Sequence, residues 1–340
     1  MHFLADYLVF LAKTLTSIIA ILVVFLGIIA IGMASKSKSK ERLHVKSLNE
    51  RYQKMRNILR QVILKKDQYK KLRKQEKLAK KAQPTEQKRK IFVINFKGDI
   101  KASAIKSLRQ EITAILTMAT PSDEVVVRLE SPGGMMHAYG LAASQLQRIK
   151  QRALTLTITI DQVAASGGYM MACVADKIIA APFAVIGSIG VIAQLPNFHR
   201  LLKKNDVDFE QITAGEYKRT ISLFGENTVK GREKFQEEVD DAHTLFKNFV
   251  VENRPKVNIQ EVATGEHWYG IRALQYQLID TLQTSDDYLL KASEQADIYE
   301  VCYTLKKSLG DKIGMTIQSA FDKILFGWRR QQQQTTLLEG

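Results

Sequence analysis

Short runs of β-branched residues alternate with segments of helical periodicity from Ile91 onward. The runs IFVINF, EVVVRL, TLTITI and KIIA have the length and composition of buried strands. Between them, apolar residues recur every three or four positions over 104–118 and 138–149, as they do in helices. This alternation is typical of an α/β domain with a mainly parallel sheet and flanking helices. We predict such a domain over residues 91–325, followed by a disordered tail over 326–340.

Two glycine-rich loops of this domain follow predicted strands and precede predicted helices. The first has the sequence SPGG from Ser131, and the second has the sequence ASGG from Ala165. Ligands of parallel α/β sheets bind where strands end, so both loops are candidate site loops. Adjacent glycines leave backbone N–H groups uncovered, which allows such a loop to hold an anion. Ser166 in the second loop has two interpretations, as a helix cap or as a nucleophile.

A nucleophilic serine needs a base, and the six histidines offer no recognisable one. The nearest, His137, is better interpreted as a structural residue at a helix start. The sequence contains no GxSxG turn, no HExxH zinc motif and no P-loop. A lysine base is the remaining option. Cys173 and Cys302 are too few for a disulfide scaffold or a cysteine-rich zinc site. We expect two buried free thiols, and a single bridge is the alternative if the domain faces an oxidising compartment.

The N-terminal residues differ from this domain in composition. Thr14–Met33 is an uncharged apolar run of 20 residues. At ~1.5 Å per residue, a helix of that length matches the ~30 Å hydrocarbon core of a bilayer. The length of the run, and the basic residues that follow it directly, favour a retained membrane anchor over a cleaved signal peptide. We therefore predict an anchor in residues 1–35.

The formal charge of +15 is concentrated in the next segment. Residues 36–90 hold 21 Lys and Arg against 5 Asp and Glu, while the rest of the chain is nearly neutral. Apolar residues spaced three and four apart predict an amphipathic or coiled-coil helix over Leu48–Leu78. The segment is either a solvated, partly helical spacer, a helix on anionic lipid head groups, or a helix that pairs with its own copy. A nucleic-acid partner is not expected, because no aromatic interleaving accompanies the lysines.

Four motifs in order give the domain a family resemblance. They are SPGG from Ser131, VAASGGY from Val163, IGSIGV from Ile186 and GEYKR from Gly215. From about Ile91 to Asp280 the chain resembles the S49 peptidases, the signal peptide peptidase A family, whose fold is related to those of the Clp protease and the crotonases. It is most similar to the short, single-module form of that family, which carries an N-terminal membrane anchor.

The resemblance implies a catalytic Ser/Lys dyad. Ser166 is then the nucleophile, Lys218 is the general base, and Ser188 holds the Lys218 amine by a hydrogen bond. A lysine in water keeps its proton at neutral pH, whereas burial in an apolar cleft favours the neutral amine. Burial of Lys218 in such a cleft would allow it to act as the base, and the chemistry requires no metal and no cofactor.

The resemblance also implies an oxyanion hole. The backbone N–H groups of Gly134 and Gly167 would form it, in a loop shaped by Gly133. The expected activity is that of a membrane-anchored serine endopeptidase that cuts membrane-derived or unfolded peptides, such as signal peptide remnants. The expected partners are peptide substrates, membrane lipids and further copies of the chain in a homo-oligomer. The anchor would contact the lipids, and the basic segment is a second candidate for that contact. Two alternatives are a crotonase-like acyl-CoA enzyme and a non-catalytic membrane scaffold.

The family resemblance places the chain in the bacterial inner membrane, with a single pass. The side on which the catalytic domain lies is contested. Basic residues beside a membrane span favour the cytoplasm for the flank that carries them. Members of the family are described as acting on the outer, periplasmic side. The charge rule leads us to favour the cytoplasmic side.

Overall fold

The computed structural model describes residues 2–34, 42–82 and 88–304. Residues Leu43–Tyr303 form one compact unit, the main unit. Helix α1 (His2–Ala34) belongs to a second unit. Among the described residues, no helix combines the length and the apolarity needed to cross a membrane. The predicted membrane span therefore stays a prediction. The tail predicted over 326–340 lies outside the described residues.

The main unit alternates strands and helices along the chain. Its strands are β1 (Arg42–Ser47), β2 (Lys90–Lys97), β3 (Glu124–Glu130), β4 (Thr155–Ile160), β5 (Val163–Ala165), β6 (Lys177–Ala180), β7 (Val185–Gly187), β8 (His267–Tyr269), β9 (Thr281–Leu282) and β10 (Asp297–Thr304). Its helices are α2 (Leu48–Ile63), α3 (Lys66–Ala82), α4 (Ile105–Leu116), α5 (Met136–Lys150), α6 (Gly167–Ala172), α7 (His199–Lys204), α8 (Val229–Asn253), α9 (Ile259–Val262), α10 (Gly270–Gln275) and α11 (Ser285–Ala292).

A seven-stranded sheet forms the centre of this unit, in the order β1-β10-β2-β3-β4-β6-β9. From β10 to β9, each strand pairs in parallel with the next. Helices cover both faces of the sheet, so the central strands are rich in buried β-branched and apolar residues. The predicted α/β class with flanking helices is confirmed.

A second, three-stranded sheet has the order β5-β7-β8. Strands β5 and β7 are parallel, with Ala165 opposite Gly187, whereas β7 and β8 are antiparallel. Ser166 and Ser188 follow directly after that pair, so they lie at the carboxyl ends of neighbouring parallel strands. This small sheet is what brings the two serines together.

Residues 48–82 of the basic segment are helical but do not form one helix. Helix α2 ends at Ile63 and α3 begins at Lys66, and an ion pair of 2.6 Å between Arg60 and Glu76 connects the two helices. The first residue of α2, Leu48, is buried against the main sheet. Part of the segment that we interpreted as a spacer therefore packs with the α/β domain.

Both cysteines are free, but they differ in burial. Cys173 on α6's C-terminal side is buried, whereas Cys302 on β10 is exposed. Neighbouring strand residues face opposite sides of the sheet, and next to Cys302 it is Val301 that is buried. The prediction of two buried thiols is therefore wrong for Cys302.

A buried carboxyl group predicts a pH-dependent stability. Glu111 on α4 is 5% exposed and accepts the backbone N–H of Tyr303 at 2.8 Å. Burial raises the pKa of Glu111 to about 7. As pH rises above the pKa of the unfolded chain, the unfolded state releases this proton first, so stability falls and the loss is complete above the folded pKa.

We expect Glu111→Gln to be more stable than the wild type at pH 8 by about 3 kcal/mol, because Gln accepts the same hydrogen bond without a charge. At pH 4 the two proteins should be equally stable, since Glu111 is then protonated in both states. Chemical denaturation at the two pH values measures the difference, and a difference that does not change with pH would contradict this account.

Candidate active site

Ser166 has a strained backbone at the turn between β5 and α6. Its φ is 52° and its ψ is −120°, a conformation that favours glycine. The turn is held on both sides, because the N–H of Ser166 donates to Gly187 O at 2.8 Å and its carbonyl accepts from Met170 N at 3.0 Å. The side chain makes no capping hydrogen bond to α6. The capping interpretation of Ser166 is therefore wrong, and its half-buried hydroxyl is left for another role.

The first glycine-rich loop lies directly against Ser166. A Cβ built on Gly133 would lie 2.7 Å from Cβ of Ser166 and 2.8 Å from the nitrogen of Gly167. Gly133 also has a φ of +94°, so a side chain at this position would be strained in addition to being crowded. Glycine at position 133 is therefore what allows the two loops to approach each other.

Two backbone hydrogen bonds join these loops. The N–H of Ser131 donates to Val163 O at 2.8 Å, and the N–H of Ala165 donates to Ser131 O at 3.0 Å. They form a single parallel bridge between Ser131 and Ala164. The structure thus brings together the two loops that the sequence singled out at separate strand ends.

Two backbone N–H groups beside Ser166 have no hydrogen-bond acceptor among the described residues. The N–H of Gly133 is engaged, since it donates to Oγ of Ser131 at 3.1 Å. Gly134 and Gly167, by contrast, donate their N–H groups to no other described residue. Such donors next to a serine hydroxyl can hold the oxygen of an attacked carbonyl.

Ser188 lies beside Ser166 but is bonded differently from our expectation. Its φ is 51°, its N–H donates to Glu266 O at 2.7 Å, and its hydroxyl donates to Gly265 O at 3.2 Å. A hydroxyl that donates one bond still has lone pairs with which it can accept another. Ser188 is therefore able to accept an amine N–H, although it does not bond Lys218 in this structure.

Lys218 is exposed, so the structure does not show the burial that would favour its neutral amine. Among the described residues, no hydrogen bond joins it to Ser166 or Ser188. It borders a cavity of about 680 Å³, whose lining includes Leu195, Phe209 and Phe224. Lys218 is exposed because the segment around it is irregular: residues 205–228 contain neither helix nor strand. Within this segment even the side chain of Ile212 is 96% exposed. Little packing therefore fixes this segment.

Sequence reasoning overlooked Tyr139, which is 0% exposed and contacts both glycine-rich loops. It lies in a helical pattern where an aromatic residue is an ordinary core residue. Its partners are far apart in the chain, so no local motif marks it.

Two family models match consecutive parts of the chain. The N-terminal model of peptidase family S49 matches residues 2–146, and the peptidase family S49 model matches residues 148–299. Together they include both glycine-rich loops, Ser188 and Lys218.

Relatives of similar length bear protease names. A protein of Haemophilus influenzae called probable protease SohB is 47% identical over 343 residues, which cover 97% of this chain and 97% of the relative. A probable protease SohB of Buchnera aphidicola is 47% identical over 304 residues, which cover 85% of this chain and 99% of the relative. Among solved structures, a lysine-to-alanine mutant of the 1510-N membrane-bound stomatin-specific protease, in complex with a substrate peptide, aligns with a TM-score of 0.42 and 17% identity over 69% of this chain and 100% of that chain.

Proposed function

Because this chain belongs to peptidase family S49 and is a serine-type peptidase, we propose that it is an endopeptidase with Ser166 as nucleophile and Lys218 as general base. The observation that carries the proposal is the backbone of Ser166. A non-glycine residue at φ 52° and ψ −120°, whose hydroxyl does not cap the helix, is held in a strained turn beside two unengaged N–H groups. Strain of this kind collects at catalytic residues.

The proposed reaction begins when the neutral amine of Lys218 takes the proton of the Ser166 hydroxyl. Oγ then forms a bond to the carbonyl carbon of the substrate, and the carbonyl π electrons move to the oxygen. That oxyanion accepts hydrogen bonds from the backbone N–H groups of Gly134 and Gly167. As the C–N bond breaks, the Lys218 ammonium returns the proton to the leaving amine, and water later hydrolyses the acyl ester by the same route.

The position of Lys218 adds a requirement to this reaction. Since Lys218 is exposed and does not contact Ser166, residues 205–228 must close over the serine when a peptide is bound. The lack of regular structure in that segment supports such a movement. Its exposed apolar side chains, among them Ile212, also suit an extended apolar peptide, as membrane-derived and unfolded substrates would provide.

Attachment to the bacterial inner membrane is part of the same proposal. Large apolar side chains of α1, such as Ile21 and Phe25, are about two-thirds exposed, and a segment of high positive charge follows α1 in the chain. Anionic lipid attracts such a segment. Fractionation of cells should recover the protein with the membrane, and a reporter fused at Gly340 should be active on the cytoplasmic side. Recovery in the soluble fraction would exclude the attachment.

The proposal also includes a homo-oligomer, which would cover exposed apolar residues of the main unit such as Phe183 and Ile192. The molecular mass in detergent measures this directly, and a mass of one chain would exclude it.

A covalent label tests the nucleophile itself. A fluorophosphonate should add to Oγ of Ser166, since the reagent forms a stable ester with an activated serine hydroxyl. Mass spectrometry of the digested protein should find the added mass on the peptide that contains Ser166, and prior incubation with a peptide substrate should slow labelling. Labelling of Ser188 or Ser131 in place of Ser166 would refute the assignment.

A further inference from the structure

A buried tyrosine connects to the loop that carries Gly134. Tyr139 lies on α5, and its hydroxyl is 2.7 Å from Oγ of Ser131 and donates to the carbonyl of Asp99 at 2.8 Å. Oγ of Ser131 in turn accepts the N–H of Gly133 at 3.1 Å. Ser131 and Tyr139 are both 0% exposed. Four groups therefore form one hydrogen-bonded chain behind the loop.

Proton counting gives this chain a direction. A phenol has one hydroxyl proton, and Tyr139 donates it to the carbonyl oxygen of Asp99. The hydroxyl of Ser131 must then donate to the Tyr139 oxygen, while its own oxygen accepts from Gly133. Hydrogen bonds that run in one direction polarise one another. The chain thus fixes the peptide group that immediately precedes the free N–H of Gly134.

The ring of Tyr139 contacts the other loop. A Cβ built on Gly167 would overlap Cγ of Tyr139 and lie 2.7 Å from Cδ2. Gly167 therefore rests on the ring with no side chain between them. A Cβ on Gly98 would overlap both hydroxyls of the Ser131–Tyr139 pair, so glycine at position 98 leaves the room that the pair occupies. One side chain thus touches both loops.

We propose that Tyr139 is a positioning residue of the oxyanion hole. Its hydroxyl and its ring hold the N–H groups of Gly134 and Gly167 at the separation that a tetrahedral oxyanion requires. The inference rests on the proposed Ser166 chemistry. Because Tyr139 is buried behind the loops, it does not touch the substrate. Loss of its hydroxyl should therefore reduce stabilisation of the transition state and leave substrate binding unchanged.

The variant Tyr139→Phe tests this role. We expect kcat to fall about tenfold, less than the ~10²–10³-fold loss of a whole oxyanion donor, because the donors are displaced and not removed. KM should stay within about twofold, and the affinity for a peptide boronic acid, whose adduct with Ser166 is tetrahedral, should fall by the same factor as kcat. Affinity for the cleaved product peptide should not change.

Tyr169 provides a matched control. It is also 0% exposed, and its hydroxyl donates to a backbone carbonyl, Leu278 O, at 3.0 Å. That bond does not involve the glycine-rich loops, although Tyr169 is only three residues from Ser166. Tyr169→Phe should lower the thermal unfolding midpoint about as much as Tyr139→Phe does, but it should retain kcat and boronic acid affinity. A merely structural role for Tyr139 predicts no difference between the two variants.

A second variant keeps the inference testable if Tyr139→Phe does not fold. Ser131→Ala removes the middle hydroxyl of the chain and should reduce kcat and boronic acid affinity in the same ratio. Where both variants fold, the double variant should lose no more than the larger single loss, since the two hydroxyls act through one chain. Unchanged kcat in the folded single variants, or equal loss of product affinity, would overturn the inference. If Ser166→Ala keeps full activity, it is the proposed nucleophile that fails.

Discussion

Ser166→Ala is expected to lower kcat for hydrolysis of a quenched fluorescent peptide by about 10⁴- to 10⁶-fold, as the loss of a serine nucleophile does in other serine proteases. The fold should not change, because alanine fits the space of the serine side chain and the two backbone hydrogen bonds of the turn do not involve that side chain. Peptide binding should persist. The variant should therefore still bind an uncleaved substrate, which equilibrium anisotropy measures.

Ser166→Gly separates catalysis from backbone strain. Glycine adopts positive φ readily, so this variant should be more stable than the wild type by about 1 kcal/mol while it is as inactive as Ser166→Ala. Opposite changes in stability and activity are expected where strain serves function. If Ser166→Gly is inactive and also less stable, the strain account is wrong. Full hydrolysis by either variant would show that Ser166 is not the nucleophile.

The strands of the main sheet could be predicted because of how they are buried. Strands β4 and β6 were predicted at their observed bounds, and β2 and β3 within one residue at each end, since a strand covered on both faces is rich in β-branched and apolar residues. Strand β1 has the sequence RLHVKS and is almost wholly exposed, so its residues give no such signal. Its place at the edge of the sheet follows from tertiary packing, which no short sequence window contains.

The site was predictable to the same degree. Glycine pairs mark positions where a backbone approaches another group, and those loops do meet at Ser166. The sequence contains no comparable mark for Tyr139, because its role depends on contacts with Ser131 and Gly167. The position of Lys218 could not be predicted either, since residues 205–228 contain neither helix nor strand and no buried residue, so no periodic pattern fixes their course.

Lys218→Ala should lower kcat about 10³- to 10⁴-fold or more, close to the effect of Ser166→Ala, because the base and the nucleophile act as a unit. Lys218→Arg should be equally inactive, since a guanidinium keeps its proton in proteins and cannot act as a base. Lys203→Ala on α7, which removes another exposed lysine, should retain the wild-type kcat. Retained activity in Lys218→Arg would show that the residue contributes charge and not proton transfer.

A further measurement connects this loss to movement of the loop. Hydrogen exchange in residues 205–228 of Ser166→Ala should slow when an uncleaved peptide binds, because closure protects amides that are open to solvent in the free chain. If exchange there is unaffected by bound peptide, Lys218 does not reach Ser166 by this closure. The exposed position of Lys218 would then count against its role as the base.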